Sequence, residues 1–118
     1  MQALSGHKRE NPEAKIQREI VAFLRHKGWF VKVTHGNMYQ SGLPDLIATH
    51  RRFGIRLIEV KLPNMVGSRF TKAQLRDFPQ FIMNGTDIWV MTAATEAEYA
   101  KLFKDGNFTI YAIRELRR

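Results

Sequence analysis

The chain has 118 residues, 44% of them hydrophobic, and no cysteine; this is the size of one domain with a single core, and it excludes disulfides and thiolate metal sites. A formal net charge of +8 favours a polyanionic partner, because every phosphate contact releases counterions, although a basic surface also serves solubility. No apolar run approaches the roughly 18 residues of a bilayer span, and the polar, charged N-terminus is unlike a signal peptide.

Residues 1–11 read as a flexible leader to a single domain over 12–118. Asn11-Pro12 has the form of an N-cap with proline at the first helical position. The helix it opens, from Pro12 to Lys27, lines up Ile16, Ile20, Phe23 and Leu24 on one face, and Gly28 is placed to stop it. Trp29 to His35 reads as a strand, followed by a polar loop through Tyr39 and Gln40 to Gly42. A hairpin comes next, with strands over Asp45–His50 and Ile55–Lys61 around an Arg51-Arg52-Phe53-Gly54 turn, and Pro63 ends it. A basic loop leads to a second helix over Thr71–Asn84, in which Pro79 should introduce a kink or a break. Asp87–Thr92 is a buried strand, Thr95–Lys104 a short helix with a capping box, and Phe108–Ile113 a last strand. The order α-β-β-β-α-β-α-β predicts an α/β domain, a mixed sheet flanked by helices.

Between Ile20 and Arg76 stand ten Lys or Arg residues and only two carboxylates, Asp45 and Glu59. Alternation along a strand turns Glu59 and Lys61 to one face, in line with Ile55 and Leu57, and Ile58 and Val60 to the other. The hairpin lays the start of its first strand beside the end of its second, so Asp45 and Glu59 can meet at one end of the sheet. Two carboxylates held close repel each other unless a cation joins them. Mg²⁺, which takes oxygen ligands and is held by one or two carboxylates, suits the pair, and Mn²⁺ would substitute. Such an ion polarises a phosphate and acidifies a bound water; Lys61 can orient that water or neutralise developing charge, and the Val60 carbonyl is a further candidate ligand.

Pro44-Asp45 followed by Glu59-Val60-Lys61 resembles the PD-(D/E)XK nuclease superfamily. The longer set, Ser41-Gly42-Leu43-Pro44-Asp45-Leu46-Ile47, Ile58-Glu59-Val60-Lys61 and Gly67-Ser68-Arg69-Phe70-Thr71-Lys72-Ala73-Gln74, resembles the VRR-NUC family, which includes stand-alone phage nucleases, and more distantly the Holliday-junction resolvases. The resemblance implies a restriction-endonuclease-like core and a metal-dependent endonuclease of branched DNA, such as four-way junctions or flaps. It also implies a cytoplasmic protein encoded by a bacterium or phage. A homodimer would suit two-fold symmetric junctions.

The resemblance further implies an acid on the first helix, for which Glu19 is the candidate, about 40° from Phe23 and 60° from Ile16 at 100° per residue. An ordinary helix-flank glutamate paired with an arginine is the alternative. It likewise places Gln74 in the active site, whereas Thr71-Lys72-Ala73-Gln74 also has the form of a capping box. Arg51, Arg52, Arg69 and Lys72 are candidate phosphate contacts, or else solvated loop residues. The four histidines have no zinc-site spacing. Competing readings are a non-catalytic basic nucleic-acid-binding domain, whose α-β-β-β-α order double-stranded RNA-binding domains share, and a restriction-type nuclease subunit.

Overall fold

The computed structural model describes residues 11–34, 42–65 and 68–117. Residues 1–10 of the expected leader, His35 at the end of the first expected strand, and residues 36–41 of the expected loop, with Tyr39 and Gln40, lie outside them. The described elements are α1 (Pro12–His26), β1 (Phe30–Val33), β2 (Leu46–His50), β3 (Gly54–Val60), a 3₁₀ turn over Pro63–Met65, α2 (Lys72–Met83), β4 (Ile88–Met91), α3 (Glu96–Ala100), a 3₁₀ turn over Lys101–Phe103, and α4 (Phe108–Leu116).

Helix α1 begins as its sequence implies. The Asn11 side chain accepts from the Glu13 N–H at 2.8 Å and from the Ala14 N–H at 3.4 Å, satisfying two of the amides that a helix start leaves without partners. Four strands form one sheet in the order β1-β2-β3-β4. The first three are antiparallel, with Leu46 opposite Ile58 in the hairpin, and β4 runs parallel to β3. A parallel neighbour needs a crossover, which α2 supplies.

Strand alternation divides the core between the two faces of this sheet. Ile58, Val60, Trp89 and Met91 join Ile20 and Leu24 of α1 in one cluster. Leu57, Ile88 and Val90 pack with Phe78 of α2 and Phe108 of α4 in the other. The sheet is thus a middle layer between helices, and Glu59 shares the parity of Leu57, as the sequence predicts.

Pro79 does not break α2, which continues through it. Proline forfeits one backbone hydrogen bond, a cost of about 3 kcal/mol; full burial of Phe78 beside it and a complete capping box at Thr71 and Gln74 oppose that cost.

The expected last strand, Phe108–Ile113, is instead the helix α4. Phe108, Tyr111 and Ala112, at helical spacing, pack on the core, whereas Ile110 is 54% exposed; a strand would have put Phe108, Ile110 and Ala112 on one face. The edge of β4 where a fifth strand could add is already engaged at its centre. The Asn107 side chain accepts from the Val90 N–H at 2.6 Å and donates to the Val90 carbonyl at 3.2 Å. Tertiary packing overrides the β-propensity of the aromatic and branched residues there. The observed order is α-β-β-β-α-β-α-α, still a mixed sheet flanked by helices.

Candidate active site

The hairpin register brings Asp45, just before β2, beside the end of β3. The Asp45 N–H donates to Glu59 Oε1 at 3.2 Å, and the Val60 N–H donates to Asp45 Oδ2 at 2.8 Å. Thr34 secures the other side, its N–H donating to the Asp45 carbonyl at 2.8 Å and its hydroxyl to the Pro44 carbonyl at 2.6 Å. Gly42 lets this segment reach α2. Its φ is +89°, and a Cβ there would meet Asp77 Oδ2 at 2.2 Å and the Ala73 carbonyl at 3.3 Å, so both conformation and space call for glycine.

Glu59 and Lys61 are 1% and 3% exposed. The Lys61 ammonium lies 3.2 Å from Glu59 Oε2 and donates to the Arg69 carbonyl at 3.0 Å and to Gln74 Oε1 at 3.4 Å. The Phe70 ring sits 4.8 Å from it. A buried ammonium with three oxygen partners is satisfied and immobile.

Gln74 caps α2 and contacts Glu59 at once. Its Oε1 accepts from the Thr71 N–H at 3.0 Å, closing the capping box, while its Nε2 donates to Glu59 Oε2 at 2.8 Å. One amide has a separate acceptor and donor, so the cap of α2 also orients the glutamate.

Burial in this setting disfavours the charged forms of the acids. The Glu59 carboxyl is pushed up to about 8 by desolvation, then by the charge of Asp45 beside it, against the counter-effect of Lys61. Asp45 is likewise raised by burial, opposed by the Val60 N–H. Two raised carboxyls in one site are what a cation would correct.

Among the described residues, the acid of α1 that comes near Asp45 and Glu59 is Glu13. Glu13, Asp45 and Glu59 each offer an oxygen, and the three oxygens lie within 4.8 Å of one another. Glu19, the residue proposed from the sequence, lies on an exposed face of α1, and the described cluster does not include it. Helix geometry explains the difference: Glu13 is within about 20° of the direction of both Ile20 and Leu24, whereas Glu19 is about 100° from Ile20 and about 140° from Leu24. The signal was an acid in the first turn on the centre line of the apolar face.

Arg69 and Lys72 are exposed on the loop and first turn of α2 beside the site. Arg51 and Arg52 are exposed on the β2–β3 turn, about 20 Å along the chain from Asp45 at about 3.3 Å per residue. His50 is structural: it contacts the Trp29 and Phe53 rings, and its Nδ1 accepts from the Arg52 N–H at 3.0 Å. Sequence reasoning missed Thr34, Ser68 and Glu115. The buried Ser68 hydroxyl touches Glu13, and Glu115 of α4 accepts from the Phe70 N–H at 2.9 Å.

Among the described residues no helix is long and apolar enough to cross a membrane. No protein-family model matches the sequence, and no curated protein matches it significantly. A solved structure described as a VRR_NUC domain is similar, with a TM-score of 0.64 and 22% identity, over 80% of this chain and 97% of that one. The chain therefore has the fold of a VRR_NUC domain.

Proposed function

We propose that this protein is a divalent-metal-dependent endodeoxyribonuclease that hydrolyses phosphodiester bonds in branched DNA. The observation that carries the reading is the convergence of Glu13, Asp45 and Glu59 beside buried Lys61 in a chain of net charge +8. Three carboxylates and one ammonium sum to a formal −2, and a donor set made wholly of oxygen fits Mg²⁺ or Mn²⁺. Glu13, Asp45 and Glu59 would hold the ion, with the Val60 carbonyl as a further ligand. Bound there, it supplies Lewis acidity toward a phosphate oxygen and acidifies a water.

The remaining roles belong to the chain. Lys61, fixed by its oxygen partners, stands where its charge can offset charge developing on the phosphate; holding the attacking water would require it to release one of those partners. Gln74 keeps the Glu59 carboxylate in one orientation. Arg69 and Lys72 grip phosphates near the cut, and Arg51 and Arg52 contact the backbone farther along the duplex. Likeness to VRR-NUC proteins supports junctions or flaps as substrates and a homodimer acting on two-fold symmetric ones. A domain that only bound nucleic acid would gain nothing from three converging acids, which repel phosphate.

The deciding experiment is a nicking assay on four-way, flapped and linear duplex DNA with Mg²⁺, Mn²⁺ or EDTA, run beside Asp45→Asn. Cutting that needs the metal and is lost in the variant while DNA binding persists is expected. Undiminished cutting in EDTA, or by Asp45→Asn, overturns the mechanism.

A further inference from the structure

Glu13 differs from the other two acids in its support. Asp45 and Glu59 are locked by hairpin register, whereas Glu13 projects from the first turn of a helix, where structure frays first. Its backbone is held by the Asn11 cap, but that cap does not fix its carboxylate. The side-chain contact found there is the Ser68 hydroxyl, hydrogen-bonded to Glu13 Oε2.

Ser68 is one of three buried polar or charged residues among those described, at 4% exposure, with Glu59 and Lys61. Its Oγ accepts from the Leu62 N–H at 3.1 Å. A hydroxyl has one proton. With the oxygen engaged by an N–H donor, that proton is directed at the carboxylate. The relay Leu62 N–H, Ser68 Oγ–H, Glu13 Oε2 starts on the residue that follows Lys61. It therefore ties the helix acid to the strand that carries the other half of the site. Burial makes the contact worth more than it would be in water.

We propose that Ser68 is a positioning residue that sets the Glu13 carboxylate for metal binding; the proposal rests on the reading of Glu13, Asp45 and Glu59 as a metal site. Its hydroxyl acts through Glu13 and touches neither metal nor DNA. Loss of such a partner to a ligand typically lowers metal affinity about 10- to 100-fold.

The test is direct Mn²⁺ binding to the full-length protein, by calorimetry or by the electron paramagnetic resonance of free Mn²⁺, with no DNA present. Ser68→Ala is expected to weaken binding about tenfold, and Glu13→Gln at least as much. Combined, the two should be no worse than Glu13→Gln alone, because the hydroxyl has nothing left to position. Additive losses would mean that Ser68 acts on the fold and not on Glu13, overturning the proposal.

Ser68→Thr and Ser68→Val, nearly equal in shape, repeat the comparison if Ser68→Ala fails to fold. The threonine should bind more tightly than the valine, and equal affinities overturn the proposal. Asp45→Asn separates this idea from its foundation. If Asp45→Asn binds Mn²⁺ as tightly as the wild type, the metal site itself is wrong. If it loses Mn²⁺ while Ser68→Ala does not, only the role of Ser68 falls.

Discussion

At the scale of single residues, the acid on α1 separates what periodicity reveals from what it conceals. Glu13 and Glu19 are both glutamates of one helix, six positions apart, and so about 120° apart around its axis. Only Glu13 meets Asp45 and Glu59. Glu13→Gln should therefore cut DNA at least tenfold more slowly and bind Mn²⁺ less tightly, with Glu19→Gln close to wild type in both. The reverse ranking would put the helix acid back at Glu19. Asp45, Glu59 and Lys61 were legible in the sequence because the spacing of a hairpin fixes both their register and their face. Gln74 was legible as two alternatives, and the amide group makes the capping bond while it also contacts Glu59.

At the scale of elements, the site depends on how closely the Gly42–Asp45 segment approaches α2. A Cβ at Gly42 would fall within 2.2 Å of Asp77 Oδ2 and 3.3 Å of the Ala73 carbonyl, at a φ of +89°. Asp77 can swing away, whereas helix backbone gives less and the left-handed conformation remains strained. Gly42→Ala should cost about 1–2 kcal/mol in denaturant melts and displace Asp45, lowering activity beyond what the stability loss explains. Wild-type stability and activity would show that the segment tolerates a larger separation. The capping box of α2 was readable from Thr71 and Gln74 alone, since both partners lie within one helical turn. The helix α4 was not. Its branched and aromatic residues favour a strand locally, and only the Asn107 bonds to Val90, together with burial of Phe108 and Tyr111, decide otherwise.

At the scale of the whole molecule, pH and salt carry the predictions. Glu59 titrates near 4.5 unfolded and about 8 folded, so the folded state binds its proton more tightly. Without metal, that stabilisation is present at low pH and is lost as pH rises from about 4.5 to about 8. Raised Asp45 acts in the same direction. Melts in EDTA should fall across that window by an amount on the order of a few kcal/mol. Mn²⁺ should restore stability most at the alkaline end, by about 2.7 kcal/mol at one hundred times its dissociation constant. A flat profile in EDTA would contradict the desolvation of Glu59. For DNA binding, Arg69→Ala and Lys72→Ala should reduce both binding and cutting, whereas Arg51→Ala and Arg52→Ala should reduce binding alone. Each loss of a phosphate contact lowers the salt slope by about one. Unchanged slopes would remove those residues from the interface.

The sequence by itself determined the α/β class, the hairpin, and the meeting of Asp45, Glu59 and Lys61. All of these follow from periods of two or 3.6 residues and from turns that bind near neighbours. Tertiary structure decided the Ser68 and Glu115 supports and the helical state of the last element. Each of these depends on which surfaces the sheet and helices bring together across tens of residues. Local propensity and spacing carry no record of such distances.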